Sequence, residues 1–161
     1  MARIDVLGLT CAAVIAACAP FGALKAQEGP KFFIEGDMVR GNAGVRQGPG
    51  CVLNSQFKHG ESVVFRVGLR DAKTGKSLDS GAIKNMQVQL SNGVTLPITY
   101  KQHPGPPAAP EDFFWTGNWI VPTAHPTGSL TYKVVVTDFD GKTATWSPFA
   151  RSASQLTIVD K

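Results

Sequence analysis

Along most of this chain apolar and polar residues alternate in short runs, and turn residues separate one run from the next. The clearest run spans residues 62–70. Val63, Phe65, Val67 and Leu69 fall on one face, with Val64, Arg66, Gly68 and Arg70 on the other. A period of two is what a strand with one dry and one wet face requires. Residues 86–90 repeat the pattern, and Asn92-Gly93 turns the chain back through 94–100. Residues 113–121 predict an aromatic strand, with Phe113, Trp115, Gly117, Trp119 and Val121 opposite Phe114, Thr116, Asn118 and Ile120. A long β-branched run, 130–138, reaches Asp140-Gly141 and resumes to Trp146. Asp-Gly between two such runs predicts a hairpin closed by a type I′ turn, with positive φ at both central residues. Residues 51–57 read as a short first strand and 155–159 as the last, whereas 36–50 form a Gly-rich lead. Beyond the first residues no segment carries apolar positions at helical spacing over three turns.

About seven or eight short strands with no intervening helix predict an all-β, antiparallel β-sandwich. The run Phe57-Lys58-His59-Gly60-Glu61-Ser62-Val63-Val64-Phe65-Arg66-Val67 resembles the start of the second strand in bacterial immunoglobulin-like and fibronectin-III-like domains. Residues 130–138 followed by Asp140-Gly141 are similar to their penultimate strand and final hairpin. The resemblance covers residues 51–159. It implies an immunoglobulin-like fold and no particular activity, because that fold hosts many unrelated functions. The Cys…Trp…Cys pattern of the antibody branch is absent.

Residues 6–19 form an apolar run behind Arg3, too short to span a bilayer and shaped like a secretory leader. Ala26 before Gln27 is the expected cleavage point. Ile15-Ala16-Ala17-Cys18 also fits a lipoprotein signal ending at Ala17, in which Cys18 would carry lipid. The chain thus divides into a signal segment (1–26), a Gly-rich lead (27–50) and an immunoglobulin-like domain (51–161). Both leader readings place the protein in a bacterial periplasm or outside the cell, and only lipidation of Cys18 would bring it to a membrane.

The formal charge of +4 comes from scattered basic residues, so no stripe suits nucleic acid. Cys11 and Cys18 lie in the leader, which leaves Cys51 alone in the domain and excludes an internal disulfide framework. Cys51 reads first as a small buried hydrophobe. Alternatively it joins His103 as a soft-ligand pair, for which copper would be the expected metal. An up-and-down strand order puts His59 and His125 at one end and His103 at the other, about 26 Å away. Thr74-Gly75-Lys76-Ser77 lacks the earlier glycine and the following helix of a phosphate-binding loop. Asp138-Phe139-Asp140-Gly141 reads as a hairpin turn rather than half of a calcium loop.

No nucleophile–base set points to an enzyme. The expected function is a non-catalytic accessory module that docks on a larger exported protein. Its contacts would come from Phe114, Trp115, Trp119, the loop holding Pro106 and Pro107, and the connection 71–85. Two alternatives stand beside it: a copper or redox domain using Cys51 and His103, and a carbohydrate-binding module stacking sugars on Trp115 and Trp119.

Overall fold

The computed structural model describes residues 30–44, 51–103, 112–151 and 154–160. Both leader readings, including Cys18, fall outside these residues, as do Pro106 and Pro107. The described chain is all-β, with β1 (Phe32–Gly44), β2 (Gln56–Lys58), β3 (Glu61–Asp71), β4 (Asn85–Leu90), β5 (Thr95–His103), β6 (Asp112–Ile120), β7 (Gly128–Leu130), β8 (Tyr132–Thr137), β9 (Thr143–Trp146) and β10 (Leu156–Val159). Seven strands form one curled antiparallel sheet in the order β1-β3-β6-β5-β4-β8-β9, and β2-β10-β7 form a second, smaller sheet.

One strand joins the two halves of the large sheet. β5 pairs with β4 through Thr95–Ile98 and with β6 through Thr99–His103. At the crossover, Pro97 has no amide to give to a ladder, and Gly117 of β6 has no side chain to obstruct the approach. A Cβ on Gly117 would sit 2.7 Å from the Pro97 carbonyl oxygen and 2.5 Å from Ile98 Cδ1. The sheet therefore bends at this point and wraps the core.

Inward residues follow the period-two faces. Val63, Phe65, Val67 and Leu69 of β3, Met86, Val88 and Leu90 of β4, and Val134 and Val136 of β8 are all buried. The small sheet adds Phe57, Leu156 and Ile158, also fully buried. Phe65 and Tyr132 meet ring to ring at 5.2 Å. Burial, with the charge of Asp37 adding to it, pushes the Tyr132 phenol up to about 12.

Three local expectations are corrected. Much of the stretch expected as a Gly-rich lead is β1, a 13-residue strand paired with β3 from Phe32↔Asp71 to Arg40↔Val63. Its inward positions include Gly36 and Arg40, which conceals the alternation. Trp146 of β9 lies against Gly36, and a Cβ there would meet Trp146 Cζ3 at 3.1 Å, so the ring would have to give by a few tenths of an ångström. The first and last strands of the sheet close together at this seam. Next, the expected first strand at 51–57 is largely the return of the chain along β1. Cys51 N–H bonds Arg40 O at 2.7 Å, and Asn54 N–H bonds Met38 O at 3.1 Å. Finally, the Asp140-Gly141 hairpin forms, but only Gly141 has positive φ (80°), and Gly141 N–H bonds Asp138 O. That is a type I turn closed by a left-handed glycine, not the two-residue type I′ turn.

The long run near 130–137 is split as well. Ser91 takes both backbone groups of Thr131, through Ser91 N–H to Thr131 O and Thr131 N–H to Ser91 Oγ. The chain thereby leaves β7, bonded to β10, and enters β8, bonded to β4.

Candidate functional site

The residues singled out from sequence land in different places. Trp115 and Trp119 are 5% and 8% exposed. The Trp115 indole N–H donates to Leu78 O at 2.9 Å, and Trp119 packs edge-on against His125. Stacking a sugar needs an open ring face, so these two rings do not form the platform expected of them; they are core. Phe114 is half-buried on the outer face of β6.

Cys51 and His103 are not brought together. Cys51 bonds Arg40, which stands across from Val63 and hence Trp119, whereas His103 stands across from Asp112. Seven strand residues separate those two levels, about 23 Å. Cys51 is also exposed, with φ 59°, and is not the small core residue expected. It is lifted out because it turns the chain back along β1 instead of opening a strand. Among the described residues no three His, Cys, Asp or Glu side chains gather as a metal site would need.

His59 and His125 do meet. His59 Nε2 donates to His125 O at 2.7 Å, and His125 Nδ1 donates to Pro126 O at 2.7 Å. His125 Nε2 then accepts from Asn92 Nδ2 at 2.9 Å. The lone pair of His125 is engaged by an amide, and the trio clasps three loops at one end of the sheet. This arrangement is structural.

At the opposite end, the 71–84 connection, the turn of Asp138 and the strand ends flanking 104–111 lie together, as the pairings Phe32↔Asp71, His103↔Asp112 and Asn85↔Thr137 require. The loop 71–76 is organised by its own carboxylate. Asp71 Oδ1 accepts from Lys73 N, Thr74 N and Thr74 Oγ1, which holds its carboxyl below the usual range. The amides that a phosphate loop would offer to a ligand are thus taken by Asp71.

Asp138 is buried and paired with Lys31 at 2.8 Å, and it also accepts from Lys142 N. The Lys31 bond, helped by the Lys142 amide, holds the Asp138 carboxyl below its ordinary 3.8. The same bond lifts Lys31 above 10.5. A depressed carboxyl stabilises the fold fully above its unfolded value and stops doing so as pH falls through its folded value. A raised lysine stabilises fully below 10.5 and stops doing so as pH rises through its folded value. Chemical denaturation of the wild type and Asp138→Asn should therefore differ by a constant amount between about pH 5 and pH 9.5. The gap should close below about pH 4 and above about pH 10.5.

A groove of about 400 Å³ opens at this end, bordered by β1, β3, β6, β5 and the 71–84 connection. Tyr100 and Phe113 stack at 5.7 Å, Trp115 tilts against Tyr100 at 5.5 Å, and Phe113 remains 51% exposed. Two ion pairs border it. Arg66 clamps Asp37 through two bonds of 2.7 and 2.6 Å, which raises its guanidinium further. Arg70 is held loosely, 3.6 Å from Glu35 and 3.5 Å from Gly75 O, and stays half exposed. The lining includes no histidine, cysteine or lysine. What this arrangement can do is seat an apolar side chain on Phe113 and Tyr100 and offer Arg70 to a carboxylate.

Sequence reasoning reached Phe113, Trp115 and the 71–84 connection. It missed Tyr100, whose spacing of two from Ile98 on one strand face is the signal that could have found it, and Glu35, hidden with the rest of β1. No protein-family model matches the chain, and neither the curated proteins nor the solved structures contain a match.

Proposed function

We propose that this protein is an exported, non-catalytic binding module that docks on a partner protein in the periplasm or outside the cell. The observation that carries the reading is a groove lined both by the half-exposed Phe113, shelved on Tyr100, and by the loosely paired Arg70. Exposed aromatic and arginine side chains that converge in a groove are the usual anchors of protein recognition. Export rests on the leader sequence, and kinship with immunoglobulin-like sandwiches rests on the Gly60-Glu61 and Asp140-Gly141 segments together with the antiparallel order. Scattered basic residues speak against a nucleic-acid partner.

Affinity capture of periplasmic and secreted proteins with the wild type, Phe113→Ala and Arg70→Glu tests this. The same partner should be lost or weakened by about tenfold in both variants and retained by Thr145→Ala, an exposed change on β9. Capture that is indifferent to Phe113 and Arg70 would sink the reading.

A further inference from the structure

A second surface lies where β9 leaves the sheet. A trough of about 480 Å³ runs beside the seam, with Leu53, Trp146, Pro148 and Phe149 in its walls. Phe149 and Leu53 are 83% and 66% exposed. Past Pro148 the trough continues into a groove of about 490 Å³ bordered by Lys133. Arg151, two residues past Phe149 and exposed, gives its N–H to Phe149 O at 2.7 Å. Asp37 is the acid in the wall, and Arg66 takes both of its oxygens. The surface is therefore aromatic with positive charge to spare.

We propose that this trough receives residues 104–112 of a second copy of the same chain. That segment reads Pro104-Gly105-Pro106-Pro107-Ala108-Ala109-Pro110-Glu111-Asp112. Prolines suit aromatic-lined grooves because little conformational freedom is lost on docking. The acidic pair that ends the segment complements Arg151 and Lys133. A chain cannot fill its own trough. The segment is anchored at His103 and Asp112, so it reaches about 14 Å outward at most. By the nearer way round, Gly36 at the edge of the trough stands level with Val67, Trp115 and Tyr100, three residues down β5 from His103 and three strands away. That is about 17 Å, beyond the reach of the segment. Donor and acceptor surfaces differ, so the contact is head-to-tail and builds a ring or an open string of copies. This goes beyond partner docking through the Phe113 groove and uses other residues.

Sedimentation velocity of the full chain, purified in the form the cells produce, provides the test. Average mass should rise with concentration below about 1 mM. Phe149→Ala and Arg151→Glu should each weaken association by about tenfold or more, while Thr123→Ala, an exposed change in a loop away from both surfaces, leaves it unchanged. Glu111→Lys should weaken it too and should recover when combined with Arg151→Glu. A synthetic peptide of residues 101–113 should dissolve the assemblies. Both trough positions are exposed, so circular dichroism should report a native fold in each variant. A monomer at every concentration overturns the proposal, including the case in which the peptide binds a monomeric chain. So does association that Phe149→Ala leaves intact.

Discussion

Gly117→Val should unfold far more easily than the wild type, losing about 3 kcal/mol and roughly 10 °C in Tm. The position has an ordinary strand conformation, so the cost does not come from the glycine's backbone freedom. It comes from proximity: a Cβ would lie 2.7 Å from the Pro97 carbonyl, a backbone atom that cannot rotate away. Ile98 Cδ1, at 2.5 Å, could move by changing rotamer. Gly117→Ala should therefore already cost a substantial part of the loss, because its Cβ meets the same carbonyl. A differential scanning comparison of the wild type with Gly117→Ala and Gly117→Val decides the matter. Equal melting temperatures would mean that β5 does not cross β6 so closely.

Glu61→Ala should be the second most damaging change, at about 3 kcal/mol, with Glu61→Gln costing about 1 kcal/mol. Glu61 is 1% exposed at the start of β3. One oxygen accepts the Lys58 amide at 2.9 Å, and the other faces Arg40 Nε at 3.4 Å. Its backbone carbonyl accepts Val121 N–H, while Gly60 N–H returns to Val121 O. Alanine strands the Lys58 amide and leaves the Arg40 guanidinium beside a buried void. Glutamine keeps an acceptor for Lys58 and loses only the charge. Urea denaturation at neutral pH should order the three proteins as wild type, Gln, Ala. A Gln variant as weak as Ala would place the whole effect in the ion pair.

The strands legible in the sequence were β3, β4, β6 and the β8–β9 hairpin, where apolar residues recur at a spacing of two and a turn signal marks an end. β1 was not legible because two of its inward positions have other duties. Gly36 makes room for Trp146, and Arg40 reaches Glu61. Missing β1 also misplaced Cys51. Without a strand for it to return along, Cys51 appeared to open the domain at the His103 end, and the supposed copper pair followed from that. The turn type at Asp140-Gly141 was equally hidden. Whether such a dipeptide makes a two- or three-residue loop depends on register, which here is set by Asp138 bonding Lys142. Of the candidate site, Phe113 and the 71–84 connection could be read from strand faces and topology. The Arg70–Glu35 pair required knowing that β1 lies beside β3.

Trp146 resting on Gly36 bears on how the protein behaves when crowded. An open sheet offers neighbours a row of unsatisfied amides, the usual template for fibrous aggregates. Here the indole covers that approach from one side, and residues 52–54 occupy Met38 and Arg40 of β1 from the other. A molecule secured in this way can display bare aromatic side chains such as Phe113 and Phe149 without inviting uncontrolled strand addition.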